Sequence, residues 1–217
     1  MKPKSFALSS IFPNPFARVE LESVEDLNRR LHEYALASEA AGKVKRTTED
    51  RSTTSWGEGF QLPLFEEKAP VVDELVAGVQ AAMGHFLAQI GLGDLAKGHK
   101  RINGWMVMMR AGSYNAPHAH PHGTFSAIYH AVMPEKPYPQ GCLEFVNPIG
   151  TQAYHSFGLV IETIESKPGT LFILPSYLVH SVHPFAGPGE RLSINFDFFF
   201  EGGPTTALRR TPDHYRT

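Results

Sequence analysis

The chain has 217 residues, 42% of them hydrophobic and 19% charged, with a formal net charge of −2 and a pI near 6.6. That balance fits a folded globular protein and excludes a disordered chain, a broadly basic nucleic-acid binder and a polybasic membrane protein. The single cysteine, Cys142, excludes an intramolecular disulfide and points to a reducing compartment.

No basic-then-apolar leader opens the sequence, and no unbroken apolar run nears the roughly 18 residues of a membrane span. The expectation is a soluble, cytoplasmic protein that engages neither membrane nor nucleic acid.

Taken in chain order, "SFALSSIF" near the start reads as a short strand, followed by a turn at Pro13 and Pro15. Then comes an amphipathic helix. Ser23 and Asp26 have capping-box spacing, Val24, Leu27, Leu31, Tyr34 and Ala35 share one face, and Gly42 ends the pattern. Residues 43–60 are polar and read as an exposed loop. A second helix starts near Ala69, with Val72, Leu75, Val76, Val79, Met83, Phe86, Leu87 and Ile90 giving a broad apolar face.

From Arg101 the texture changes. Short runs rich in β-branched and aromatic residues are separated by Gly and Pro: "NGWMVMMR", "TFSAIYHAVM", "CLEFVNP", "GLVIETIES", "TLFILPS" and "RLSINFDFFF". This spacing predicts an all-β sandwich or barrel, with the two helices on one sheet. The expected organisation is one domain over 1–217. Residues 1–100 form an N-terminal strand and two supporting helices, 101–200 a β core, and 201–217 a polar tail.

The chemistry concentrates in "HAHPH". On an extended chain His118 and His120 point to one side, and Pro121 ends regular pairing beyond them. Imidazoles that converge suit a divalent transition metal. A distant partner is available in "PGTLFILPSYLVHSVHP", where a strand, a Pro-Ser turn and a second strand would return His180 to the same place. His183 has the opposite parity from His180, so only one of them faces a common cavity. Downstream, "RLSINFDFFF" puts Arg191, Ser193 and Asn195 on one polar stripe. A guanidinium beside a hydroxyl inside a barrel suits a buried carboxylate.

With these residues in place, the chain resembles the 2-oxoglutarate- and Fe(II)-dependent oxygenases, in particular a bacterial branch with a His-x-His motif. The matching stretches are "GWMVMMRAGSYNAPHAHP", "GCLEFVNP", "PGTLFILPSYLVHSVHP" and "ERLSINFD". The resemblance implies a double-stranded β-helix, or jelly roll, making the fold an all-β core with added helices (α+β). It implies Fe(II) held by His118, His120 and His180, with 2-oxoglutarate as cosubstrate and dioxygen as the oxidant. Arg191 anchors the cosubstrate carboxylate with Ser193 beside it, and Tyr129 and Asn115 are candidates for the pocket lining. The expected activity is a dioxygenase that hydroxylates a small-molecule or peptide substrate. His120 stands where that family commonly has Asp, and Glu144 in "CLEF" and His122 are alternative ligands.

The alternative reading is a cupin-type enzyme, or a non-catalytic metal- or ligand-binding jelly roll. Cupins want a glutamate soon after the second histidine, and none occurs before Glu135. Trp105 and the aromatic run at 196–200 read as core, and that run is also a candidate homodimer interface. His130 reads as an ordinary strand histidine and Cys142 as a small buried hydrophobe. Substrate specificity is expected from the polar loops at 43–62 and 134–158.

Overall fold

The computed structural model describes residues 14–47, 54–120, 123–147 and 161–201. The strand expected at "SFALSSIF", the tail 202–217, His122 and residues 148–158 of the 134–158 loop lie outside these residues.

Twelve strands are described: β1 (Ala17–Glu20), β2 (Lys45–Arg46), β3 (Ser55–Trp56), β4 (Gly59–Pro63), β5 (Lys100–Met109), β6 (Tyr114–His118), β7 (Phe125–Val132), β8 (Leu143–Val146), β9 (Ile161–Ile164), β10 (Thr170–Pro175), β11 (His180–Val182) and β12 (Arg191–Phe200). They form two antiparallel sheets, a seven-stranded one in the order β1-β10-β7-β12-β5-β4-β2 and a five-stranded one in the order β3-β6-β11-β8-β9. Two helices, α1 (Glu25–Ala40) and α2 (Pro70–Gln89), precede the core strands.

The period-2 geometry of the seven-stranded sheet sorts its side chains between two cores. Met106, Met108, Ala127, Tyr129, Leu171, Ile173, Leu192, Ile194, Phe196 and Phe198 point to the helices. Val107, Met109, Ile128, Phe172 and Leu174 point the other way, onto Leu143, Phe145 and Val182 of the smaller sheet. The result is helices on a sheet on a second sheet, the expected jelly roll with two helices covering one face. Phe196, Phe198 and Phe200 of the aromatic run lie in the core of this same chain.

α2 starts as expected, with Pro70 in its first turn and Val72, Leu75, Val79, Met83, Phe86 and Leu87 buried. By length and composition it would suffice to cross a membrane. Its buried face packs instead into the helix-side core. The expectation of a capping box in α1 is corrected. Ser23 has φ 56°, the residue capping the helix is Val24, and no side chain bonds to the first turn. The buried stripe is Asn28, Leu31, Ala35 and Ser38, one step around from the predicted face. Asn28 turns inward because the Tyr129 hydroxyl donates to its Oδ1 at 2.6 Å.

The exposed loop expected at 43–60 is also corrected. The described part contains β2, β3 and the start of β4, and Phe60 is fully buried against the β5 side of the large sheet.

Candidate metal centre

His118 and His180 lie directly opposite each other across the antiparallel β6–β11 pair. The ladder slips between His180 and Val182, where Val182 opposes Asn115. That irregularity falls where Pro117 offers no N–H to the ladder, and it lets Asn115 and His118, three residues apart, face the same cavity. His120 sits just past the strand end. Its backbone N–H donates to the Ser176 carbonyl at 2.7 Å. Gly123 closes the loop, since a Cβ there would lie 2.6 Å from Ser176 Oγ.

One ring nitrogen from each of His118, His120 and His180 lies within 4.8 Å of the others. The other nitrogen is occupied in all three. Nδ1 of His118 donates to the Ala116 carbonyl at 2.7 Å, and Nδ1 of His180 to the Leu178 carbonyl at 3.0 Å. Nδ1 of His120 donates to Asp197 Oδ1 at 2.7 Å. A proton fixed on each Nδ1 leaves Nε2 as the lone-pair donor on every ring. Burial holds His180 neutral, its pKa pushed down to about 3, with His118 adding to the shift. Burial also lowers the pKa of His118. The three rings are oriented and convergent, each held through Nδ1, which is the donor arrangement that a divalent transition metal takes.

The same cavity, about 400 Å³ in volume, runs from the histidines to Arg191. β12 supplies one wall, with Arg191, Ser193, Asn195 and Asp197 all lining it. Arg191 is 1% exposed, and among the described residues no carboxylate lies within ion-pair distance of it. Its Nε donates to the Gly141 carbonyl at 3.2 Å, one Nη to Ser193 Oγ at 3.2 Å and to Met109 Sδ at 3.6 Å, and the other Nη to His130 Nε2 at 2.8 Å. Five N–H bonds thus meet four contacts, one of them to a weakly accepting thioether. Burial pushes the Arg191 pKa down to about 10. Burial and the Arg191 charge together hold His130 well below its ordinary value, so that it accepts as a neutral ring.

The rest of the lining is uncharged, part apolar from Val107, Ile128, Leu143 and Val182 and part polar. Thr54, Ser55, Gln61, Asn103 and Asn115 form the polar part, and Asn115 Oδ1 is buried with no hydrogen-bond partner. Thr54, Ser55 and Gln61 come from the 43–62 segment expected to shape specificity.

Other expectations are corrected by parity. Tyr129 does not line the cavity; it faces the helices and Asn28. Trp105, expected in the core, lines the cavity with its ring 5.3 Å from that of His120. Glu144, the alternative ligand, instead meets His183, with Oε2 2.5 Å from His183 Nε2. Asp197 and His130 were not foreseen. Asp197 was legible, because it shares the parity of Arg191. His130 was not, because the slip between Leu192 and Ser193 in the β12–β7 ladder brings Ser193 opposite it.

Residues 103–197 match the family model described as "Putative 2OG-Fe(II) oxygenase". No curated protein matches the chain. Among solved structures, a Pseudomonas putida prolyl-4-hydroxylase is 19% identical with a TM-score of 0.63, covering 87% of this chain and 94% of its own. A Trichoplax adhaerens prolyl hydroxylase, solved with a hypoxia inducible factor peptide, is 12% identical with a TM-score of 0.63, covering 90% and 87%. The α-ketoglutarate-dependent epimerase SnoN of nogalamycin biosynthesis is 17% identical with a TM-score of 0.60, covering 86% and 78%. At these identities the structural likeness establishes the jelly-roll fold. The matched segment begins at Asn103 and ends at Asp197, so it encloses every histidine of the cluster and the buried arginine. Residues 103–197, which carry the histidine cluster and the buried arginine, are thus similar to a putative 2OG-Fe(II) oxygenase and lie on a jelly-roll fold.

Proposed function

We propose that this protein hydroxylates a C–H bond of a small-molecule or peptide substrate, with Fe(II) held by His118, His120 and His180 and 2-oxoglutarate anchored by Arg191. The observation that carries the anchor is the lone guanidinium. A buried cation without a counter-ion is costly, and an anionic ligand that arrives with a carboxylate removes the cost. Ser193 accepts from Arg191 through its oxygen, which leaves its O–H free to donate to the same carboxylate. His130 and the Gly141 carbonyl fix the guanidinium so that its free N–H side faces the cavity.

At the other end, the three rings, each engaged through Nδ1, would offer Nε2 to the metal. When bound, the iron with 2-oxoglutarate and dioxygen supplies a two-electron oxidation that converts C–H to C–OH while 2-oxoglutarate becomes succinate and carbon dioxide. The protein's own part is orientation. Arg191 at one end of the cavity and the histidines at the other would hold the two ends of the cosubstrate, and the Trp105 ring lies beside His120. The uncharged wall receives the substrate. A solved SnoN complex with Fe3+ and α-ketoglutarate, with a TM-score of 0.59 to this chain, supports the pairing of metal and cosubstrate on this fold.

The test is an anaerobic titration with Fe(II) and then 2-oxoglutarate, followed by visible absorption. A charge-transfer band that requires 2-oxoglutarate and disappears in Arg191→Met is expected. Metal uptake with no response to 2-oxoglutarate would overturn the reading.

A further inference from the structure

We infer that Asp197 is the charge-compensating carboxylate of the metal centre, acting through His120 as a positioning residue rather than as a ligand. The inference rests on the proposed three-histidine site and adds the source of its negative charge.

The three rings are not held alike. His118 and His180 are oriented by neutral backbone carbonyls. Only His120 is oriented by a side-chain carboxylate, at 2.7 Å. Asp197 is 8% exposed. It accepts from His120 and, on the same oxygen, from Ser126 Oγ at 2.7 Å. Among the described residues no Lys or Arg pairs with it. A buried carboxylate whose partners are one imidazole and one hydroxyl, with no Lys or Arg beside it, is poorly compensated. A divalent cation on the far nitrogen of that ring is the missing partner. Conversely, three imidazole ligands bring no negative charge of their own to a divalent metal in this cavity. A carboxylate behind a ligating histidine raises the donor strength of that ring and fixes its tautomer.

The surrounding bonds hold this arrangement from two sides. Ser126 Oγ lies 2.9 Å from Ser176 Oγ, and the Ser176 carbonyl takes the backbone N–H of His120. Both the ring and the backbone of His120 are therefore tied to one small network on β7, β12 and the turn after β10.

The experiment compares full-length wild type with Asp197→Asn and Ser126→Ala. Asparagine keeps the volume and an acceptor for Nδ1–H but removes the charge. Affinity for Co(II) alone, read anaerobically from its visible d–d absorption, should fall about 10–100-fold in Asp197→Asn. In the Fe(II)–2-oxoglutarate complex the charge-transfer band should move to shorter wavelength, because the metal is less electron-rich. Ser126→Ala keeps the charge and removes a competing donor, so its band should move the opposite way.

Co(II) affinity within twofold of wild type in Asp197→Asn, with an unmoved band, would overturn the inference while leaving the three-histidine reading intact. Failure of the wild type to take up Co(II) or Fe(II) overturns both. If Asp197→Asn does not fold, Ser126→Ala decides alone, and a band unmoved there also overturns the inference.

Discussion

Arg191 and Asp197 stand six residues apart on one face of β12, and both are buried. Their surroundings are opposite. The anion is held by two donors from groups that the fold provides, His120 and Ser126. The cation has neutral acceptors only and no carboxylate within reach among the described residues. Interior charges of one strand are thus left incomplete in different ways. On the proposed reading, a metal on the far nitrogen of His120 would complete Asp197, and the carboxylate of 2-oxoglutarate would complete Arg191. A strand with period-2 alternation can present both to one cavity while its other face, Leu192 to Phe198, stays in the helix-side core.

The largest expected effect breaks this comparison into halves. Arg191→Met should lower 2-oxoglutarate affinity by about 30-fold or more, since removing one member of a buried charged contact costs roughly 2–5 kcal/mol. Co(II) uptake should stay within threefold of wild type. Asp197→Asn should do the reverse when 2-oxoglutarate binding is measured at saturating metal. Isothermal titration of both ligands against both variants reads the four values. A loss of both ligands in both variants would mean that the two ends are not independent. Arg191→Lys should fall between, because an ammonium keeps the charge but not the planar fork.

The next effect concerns protons. An unfolded histidine takes up its proton near pH 6.5. His180 in the fold resists protonation until about pH 3 because of burial, and His130 is held well below its ordinary value. Between these pH values the unfolded chain binds more protons than the folded one, so stability falls as pH falls. Thermal unfolding of the metal-free protein should show a midpoint that is flat above about pH 7.5 and drops steadily from pH 6.5 toward 4. A midpoint unchanged down to pH 4.5 would show that these rings are not desolvated as described.

Much of this site was legible before the fold was known, and the limits are physical. His118, His120, His180, Arg191 and Ser193 stand out because each lies in a short strand or at its end, where period-2 parity and a turn suffice to bring them together. Asp197 follows from the same parity, being two residues beyond Asn195 on the stripe that faces the cavity. Glu144 and His183 failed as ligands because both lie off the cavity and satisfy each other. What sequence could not carry was set by pairing partners far away. The bulge at Leu192/Ser193 that brings His130 under Arg191 depends on β7 and β12 being neighbours. The strands within 43–63 exist because β5 and β6 offer free edges to them, not because of a strong local pattern.

The smallest expected effect tests the face assignment of Tyr129. Adjacent residues on β7 point to opposite cores, Ile128 to the cavity side and Tyr129 to the helices. The hydroxyl of Tyr129 reaches Asn28 of α1 and has no route to the cosubstrate pocket. Burial raises its pKa to about 12, so it stays a neutral donor at any pH the fold tolerates. Tyr129→Phe should therefore destabilise the protein by about 1–3 kcal/mol, because Asn28 loses its buried partner. Affinity for 2-oxoglutarate and for metal should be unchanged within experimental error. Asn28→Leu with Tyr129→Phe should recover part of the loss, since replacing both partners by apolar groups leaves nothing unpaired. A drop in 2-oxoglutarate affinity in Tyr129→Phe, with unfolding unaffected, would place the ring on the other face of β7 and would undo the parity on which the positions of Arg191 and Asp197 also depend.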